Sequence, residues 1–205
     1  MYKVIFLDWY KTLSDSLFWE KWTNDPKHTN DLSKIQEYMF TKGNTLVKDW
    51  MRGQLNSESA VSKISRNTSV PYETIMDELI TSSKSMKFNE ATVLDQIKSL
   101  RQSGIKVVIA TDNMDTFKRW TVPAMGLEHI FDSIIDSYSN KSLKADFSED
   151  GNIFFKDFIK KSDLGPGESI LIDDSEDSIV VEKIGIKFMH FERNRPLSSI
   201  LRDLK

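Results

Sequence analysis

Residues 1–14 read MYKVIFLDWYKTLS, and this stretch decides the fold. The apolar run Val4–Leu7 ends at Asp8, and a polar, turn-like stretch that contains Thr12 follows at once. A short apolar run with these boundaries is typical of a buried strand in an α/β sheet. The carboxyl ends of such strands are where α/β proteins place their chemistry. Asp8 is therefore a candidate nucleophile or metal ligand.

Similar apolar runs recur along the second half of the chain, and helical patterns separate them. The runs lie at 105–110, 131–135, 169–172 and 187–191, and the helical patterns at 92–102, 114–122, 153–162, 175–184 and 197–204. Strands that alternate with helices in this way predict a parallel sheet with right-handed crossovers. We therefore expect an α/β fold with a Rossmann-like parallel sheet at its core.

Residues 15–90 have a different pattern. They contain no convincing buried strand, and their apolar residues recur at helical spacing, for example along 32–39. This pattern predicts a small helical bundle inserted after the first strand. Because large aromatic side chains usually dominate cores, we expect Trp19, Trp22 and Trp50 to pack inside that bundle.

The length of 205 residues suits one domain, or a core domain with a modest insertion. The composition, 39% hydrophobic and 29% charged, is that of a soluble globular protein. We predict two parts: an α/β core made of residues 1–14 and 91–205, and a helical insert made of residues 15–90.

Charge and composition also exclude several classes of function. A net charge of −3 gives no electrostatic reason to expect a nucleic-acid partner. The absence of cysteine excludes disulfides, thiol nucleophiles and thiolate metal sites, and it suits a reducing cytoplasm, where we expect the protein to act. No signal-peptide layout and no apolar run of about 20 residues is present, so no membrane partner is expected. Nothing in the sequence indicates an oligomeric state.

Four segments in chain order, each at a predicted strand end or directly after one, carry a family resemblance. They are DWYKT at 8–12, VVIAT at 107–111, SYSNKSLKAD at 137–146 and ILIDDSEDS at 170–178. With these motifs the chain resembles the haloacid dehalogenase-like (HAD) hydrolases, most of whose members are phosphatases. The helical insert matches the position of that family's α-helical cap domain. The resemblance extends over essentially the whole chain and implies a small phosphorylated substrate.

The resemblance also implies roles for the residues that would handle a phosphoryl group. Asp8 would attack phosphorus and form an aspartyl-phosphate. Thr12, Thr111 and Asn113 would bind the substrate, with Thr111 donating a hydrogen bond to a phosphoryl oxygen. Lys144 would hold Asp8 ionised, bind substrate and offset the developing charge. Lys141 remains a competitor for the lysine position.

A magnesium site is implied as well. The family pattern indicates Asp8, the backbone carbonyl of Tyr10 and Asp174 as ligands, with Asp173 nearby. Mg²⁺ is a hard ion that takes oxygen ligands and contacts substrate phosphates, so this set suits it. An ordinary structural alternative remains open for the acidic pair, since carboxylates at a helix N-terminus also serve as caps.

Tyr10 departs from the phosphatase pattern, which has Asp two residues after the nucleophile as general acid and base. A phenol, with an ordinary pKa of about 10, can donate a proton but is a poor base at neutral pH. Losing such help typically costs about 10² to 10⁴ in rate. The first hypothesis is therefore a Mg²⁺-dependent phosphatase with weakened acid–base help from Tyr10, slow or selective for good leaving groups.

Two further hypotheses remain open. The 2-haloacid dehalogenases have Tyr at the position of Tyr10, use the aspartate without a metal, and take an arginine from the cap, which here could be only Arg52 or Arg66. Their fourth motif lacks an acidic pair like Asp173-Asp174, which favours the phosphatase. The last hypothesis is a degenerate member that binds a phosphate ligand or a partner protein without turnover.

Overall fold

A five-stranded parallel sheet forms the centre of the molecule. The structure is a computed structural model, and it describes residues 1–149 and 151–205. The strands are β1 (Val4–Leu7), β2 (Lys106–Thr111), β3 (Ser133–Asp136), β4 (Phe147–Ser148), β5 (Gly151–Asn152), β6 (Ser169–Asp173) and β7 (Ile186–His190). The sheet has the order β3-β2-β1-β6-β7 with every neighbouring pair parallel, and β4 and β5 form a separate short hairpin. The predicted α/β fold with a Rossmann-like parallel sheet is confirmed.

The helices cover both faces of this sheet and fill the segment between β1 and β2. They are α1 (Thr29–Phe40), α2 (Leu46–Met51), α3 (Ser57–Thr68), α4 (Tyr72–Lys84), α5 (Val93–Gln102), α6 (Val122–Met125), α7 (Leu127–Ile130), α8 (Ser137–Asn140), α9 (Ile153–Ser162) and α10 (Leu197–Asp203). There are also 3-10 helices at Glu20–Asn24 and Glu176–Ile184 and a π-helical turn at Phe117–Thr121. Within the two described ranges, none of these helices has both the length and the apolar character needed to cross a membrane.

Strand β1 lies in the middle of the sheet and is buried on both faces. Ile5 and Leu7 pack into a core that α5, α7 and α10 cover, whereas Val4 and Phe6 pack into a second core together with α9. A strand that is buried on both faces has apolar residues without alternation. This is why the unbroken run VIFL indicates the central strand.

The segment of residues 15–90, here called the helical segment, has a hydrophobic core of its own. Trp19, Trp22 and Trp50 all lie in that core, as the sequence indicates. Residues of the sheet-bearing part, among them Met114, also join it, so the helical segment packs firmly onto the rest of the molecule. The exact division of the chain into a core and a helical insert stays a prediction.

Two predicted helices have a different form in the structure. The pattern at 114–122 predicts one helix, but the chain forms a π-helical turn and then the short α6, because Pro123 has no N–H to donate to the preceding turn. The pattern at 175–184 predicts an α-helix, but the segment is 3-10 helical. Three consecutive β-branched residues, Ile-Val-Val at 179–181, lower its α-helical propensity.

Candidate active site

The carboxyl ends of three neighbouring strands meet around Asp8. Leu7, the residue before Asp8, is paired with both β2 and β6, so Asp8 lies between the ends of those two strands. Thr111 is the last residue of β2, and Asp173 is the last residue of β6. Parallel strands end at one edge of the sheet, so three side chains that are far apart in sequence share one location.

Lys144 reaches this location from the loop that follows α8. Its ammonium nitrogen Nζ donates a hydrogen bond to Asp8 Oδ1 at 2.6 Å and another to Asp173 Oδ2. The side chain is buried, and burial alone lowers the pKa of its ammonium group. The negative charges of Asp8, Asp173 and Asp112 outweigh that effect and hold the pKa above its ordinary value. Lys144 is therefore a fixed positive charge beside Asp8.

The Asp8 carboxyl group has a raised pKa. Burial raises this pKa most, the Lys144 ammonium lowers it and the charge of Asp173 raises it, and together they bring it to about 7. A carboxylate acts as a nucleophile only when it is ionised. An additional cation beside the carboxylates would therefore favour the reactive form of Asp8.

Three carboxylates at this edge are close enough to bind one metal ion. Asp8, Asp173 and Asp174 each offer an oxygen, and these three oxygens lie within 4.8 Å of one another. Burial raises the pKa of the Asp174 carboxyl, and the negative charge of the neighbouring Asp173 raises it as well. An all-oxygen set with this charge fits Mg²⁺.

Two buried threonine hydroxyls, one on the last residue of β2 and one four residues after Asp8, lack a hydrogen-bond partner among the described residues. Thr111 and Thr12 are each almost fully buried, and their Oγ1 atoms have no hydrogen-bond partner among the described residues. A buried hydroxyl without a partner costs about 1–3 kcal/mol, and a bound oxyanion would remove that cost. Asn113, two residues after Thr111, is also buried, and its backbone N–H donates to Ser137 Oγ at 2.9 Å.

Two side chains of the loop after Asp8, Tyr10 and Lys11, are exposed. The Tyr10 side chain is 40% exposed. Lys11 has a φ of 61°, in the left-handed region that favours glycine, and its Nζ lies 3.7 Å from Asp174 Oδ2. Asp174 is itself partly exposed, so the Asp174 side of the site is in contact with solvent.

Two residues that the sequence analysis did not select hold Lys144 in place. Asp112 Oδ1 accepts a hydrogen bond from the Lys144 backbone N–H at 2.9 Å. Asn152 Nδ2 donates to the Lys144 carbonyl at 2.7 Å while its Oδ1 caps α9. Asp112 stands at a strand end and Asn152 directly before a helix, but neither position reveals that the partner is Lys144.

The remaining candidates lie away from Asp8. Lys141 Nζ donates to the backbone carbonyl of Gly53 at 3.0 Å, so only Lys144 of the two lysines contacts Asp8. Arg52, one of the two candidate cap arginines, forms a bidentate ion pair with Asp146. The other, Arg66, lies on the exposed surface of α3.

The fold matches those of solved HAD-like hydrolases over the whole chain. A predicted HAD-like hydrolase from Porphyromonas gingivalis has a TM-score of 0.70 and 20% identity, with 100% of this chain and 98% of that chain covered. A HAD family enzyme from Bacteroides thetaiotaomicron, in a complex with magnesium and inorganic phosphate, has a TM-score of 0.69 and 17% identity, with 98% and 99% covered.

A dehalogenase shares the fold as well. The L-2-haloacid dehalogenase from Xanthobacter autotrophicus has a TM-score of 0.65 and 13% identity, with 100% of this chain and 82% of that chain covered. No protein-family model and no curated protein sequence matches the chain. At these identities the likeness establishes the HAD-like fold, which both phosphate-binding enzymes and dehalogenases possess.

Proposed function

We propose that the chain is a Mg²⁺-dependent phosphatase that acts on a small phosphorylated substrate through an aspartyl-phosphate on Asp8. The observation that carries this proposal is the composition of the site: a buried Asp8–Lys144 ion pair lies beside the carboxylates of Asp173 and Asp174, and the unpartnered Thr111 hydroxyl is on the last residue of the neighbouring strand β2. Such a site can bind a phosphoryl group, stabilise its charge and supply a nucleophile in one place.

The proposed reaction has two displacements at phosphorus. In the first, a carboxylate oxygen of Asp8 attacks phosphorus and the bond to the leaving-group oxygen breaks; that oxygen departs as a carboxylate from an acyl phosphate, or takes a proton from the Tyr10 hydroxyl or solvent when it leaves an ester. In the second, water attacks the same phosphorus and gives a proton to solvent, and the bond to the Asp8 oxygen breaks to release inorganic phosphate. Lys144 and the Thr111 hydroxyl stabilise the negative charge on the phosphoryl oxygens in both steps, and Thr12 and Asn113 help to bind the group.

Asp8, Asp174 and the Tyr10 carbonyl are the proposed Mg²⁺ ligands. Bound there, Mg²⁺ would neutralise phosphoryl charge and favour ionised Asp8. Both oxygens of Asp173 are already engaged by the protein. Its Oδ1 accepts a hydrogen bond from the Ser175 N–H at 2.9 Å, and its Oδ2 accepts from Lys144 and from the Ser178 hydroxyl. We assign Asp173 chiefly to holding Lys144 and the Asp174 turn in place.

The position of Tyr10 bears on which substrates turn over. An exposed phenol two residues after the nucleophile supplies weak acid–base help, so esters with poor leaving groups react slowly. Acyl phosphates and activated esters need no proton on the leaving group and are the preferred class. The helical segment is proposed to act as the cap, which excludes water and selects the substrate.

A metal-independent 2-haloacid dehalogenase is the second candidate. It is favoured by Tyr10 and by the fold shared with the Xanthobacter enzyme. Against it, Arg52 is paired with Asp146 and so does not offer a free guanidinium to a substrate carboxylate. Asp174 also adds to the site a carboxylate that could bind a metal ion. These two observations favour the phosphatase.

The test is phosphate release from a panel of acyl phosphates and phosphate esters, with and without a chelator, in the wild type and in Asp8→Asn. We expect release with Mg²⁺ and acetyl phosphate, and loss of it both in chelator and in Asp8→Asn. Release that persists in Asp8→Asn would exclude Asp8 as the nucleophile. Halide release from 2-chloropropionate without a metal, abolished by Asp8→Asn, would establish the dehalogenase instead.

A further inference from the structure

The helical segment contacts the loop that carries Lys144 at two points. We call residues 141–146 the lysine loop and the pair Arg52-Gly53, directly after α2, the docking turn. At the first point Arg52 donates two hydrogen bonds to the Asp146 carboxylate, Nε to Oδ2 at 2.8 Å and Nη2 to Oδ1 at 2.7 Å. At the second, Lys141 Nζ donates to the Gly53 carbonyl at 3.0 Å. The docking turn therefore contacts the lysine loop on both sides of Lys144.

Gly53 permits this close approach. Its φ is +63°, in the left-handed region that favours glycine. A Cβ at Gly53 would lie 2.6 Å from the backbone carbonyl oxygen of Tyr138 and would clash with Lys141 Nζ. The close approach of the docking turn to the Tyr138 carbonyl and the Lys141 side chain thus requires a glycine at this position.

Asp146 connects Arg52 to the backbone next to Lys144. The Asp146 Oδ2 atom that Arg52 binds also accepts the backbone N–H of Leu143, the neighbour of Lys144, at 2.9 Å. The hydrogen bonds from Arg52 hold the pKa of the Asp146 carboxyl below its usual range, so this carboxyl stays an acceptor at neutral pH. A bidentate pair of this type fixes orientation as well as distance.

We propose that Arg52 is a positioning residue for Lys144: docking of the helical segment through Arg52 and Gly53 sets the conformation of the lysine loop that places the ammonium group against Asp8. The inference rests on the proposed function only for its effect on rate. Asp112 and Asn152 hold the backbone of Lys144 itself. Arg52 adds the contact that fixes Asp146 and, through it, the N–H of Leu143. Misplacement of a catalytic group by about 1 Å can cost about 100-fold in rate.

The test compares Arg52→Gln with a matched control, Glu58→Gln. Glu58 of α3 forms a bidentate ion pair with Arg119 of the π-helical turn, so it also links the helical segment to the sheet-bearing part, but away from the lysine loop. Turnover of acetyl phosphate and backbone hydrogen–deuterium exchange of the lysine loop are measured on both variants of the full chain. Arg52→Lys, which keeps one charged hydrogen bond, serves as the conservative variant.

We expect Arg52→Gln to lower kcat about 10- to 100-fold with KM changed by less than about threefold, and to speed exchange in the lysine loop. Arg52→Lys should recover part of the loss, and Glu58→Gln should match the wild type in both measurements. An equal loss in Glu58→Gln, or an unchanged kcat in Arg52→Gln, would overturn the proposal.

The failure of the proposed function is distinguishable from the failure of this inference. If the wild type releases no phosphate from any substrate, the proposed function fails. The exchange measurement alone then tests whether Arg52 docks the lysine loop. Faster exchange confined to the lysine loop in Arg52→Gln then supports the docking role, and unchanged exchange overturns it.

Discussion

At the scale of single residues, the proposed phosphatase has in Tyr10 the residue that limits its leaving groups. Tyr10 stands where the phosphatases that the chain resembles have an aspartate, and it is 40% exposed. We expect Tyr10→Asp to raise kcat for simple alkyl phosphates by about 100-fold, because a carboxyl group can protonate the leaving oxygen and then activate water. Turnover of acetyl phosphate should rise far less, since its leaving group needs no proton.

The comparison of the two substrate classes is the control for this prediction. Tyr10→Phe removes the hydroxyl but keeps the ring, and it should leave acetyl phosphate turnover nearly unchanged. Equal gains on both classes in Tyr10→Asp would show that the change acts through substrate or metal binding, and the assigned role of position 10 would be wrong.

Lys11 is a second residue whose charge bears on the site. Its ammonium group lies 3.7 Å from Asp174, a proposed magnesium ligand, and it is half exposed. Because a cation there competes with Mg²⁺, we expect Lys11→Met to tighten Mg²⁺ binding about two- to fivefold, the size of a partly exposed ion pair. Titration calorimetry measures this directly.

The control variant for Lys11 is Lys3→Met. Lys3 pairs with Glu168 at the opposite end of the sheet, so its replacement removes the same charge without touching the site. Magnesium affinity that is unchanged in Lys11→Met, or raised equally in both variants, would contradict competition at Asp174.

At the scale of elements, Asp115 connects three helical elements through one carboxylate. It accepts hydrogen bonds from Trp50 of α2, from Ser57 of α3 and from Arg119 of the π-helical turn. Burial raises the pKa of the Asp115 carboxyl. The hydrogen bonds, the one from Arg119 foremost, lower it by a larger amount and leave it below its ordinary value. The ionised form of Asp115 therefore stabilises the fold.

We expect Asp115→Asn to lower the free energy of unfolding by about 1–3 kcal/mol at neutral pH. The contribution of Asp115 is fully present above the pKa of about 3.9 of an unfolded aspartate and is lost as the pH falls through the lower folded-state pKa. The gap between wild type and variant should therefore shrink in acid, which denaturant titrations at several pH values measure. Asp77→Asn, on the exposed surface of α4, is the control. A gap that widens in acid would contradict the depressed pKa.

The sheet could be predicted from the sequence because each strand carries its own signal. The run VIFL is apolar throughout since β1 is buried on both faces, and Asp8 and Asp173 directly follow or end such runs. The helix types at 117–121 and 176–184 could not be predicted in the same way. They depend on a missing N–H at Pro123 and on side-chain crowding, which apolar spacing does not record.

The contacts that hold the site together are invisible at the sequence level for another reason. Asp112, Asn152 and Arg52 act through partners that lie 32, 8 and 94 residues away in the chain. Polar residues in loops and at helix starts are common, and only the folded arrangement shows which of them meet Lys144. The strand-end motif residues were predictable, whereas the network that orients them was not.

At the scale of the whole molecule, the helical segment and the sheet-bearing part meet along a continuous interface. Met114 joins the hydrophobic core of the helical segment, and Asp115, Arg119 and Asp146 add charged contacts beside it. One of these contacts reaches the lysine loop, and the others lie on the side of the π-helical turn. The interface thus fixes the position of the proposed cap on the part of the molecule that carries Asp8.

The central claim is that Asp8 becomes phosphorylated during turnover, and mass spectrometry of the acid-quenched protein tests it most directly. The protein is mixed with acetyl phosphate and Mg²⁺, quenched within a turnover and digested, and the peptide that contains Asp8 is examined. We predict a mass increase of one phosphoryl group on that peptide, which Asp8→Asn and chelator both abolish. Phosphate release that proceeds without this adduct and persists in Asp8→Asn would contradict the account, as would the absence of both adduct and release.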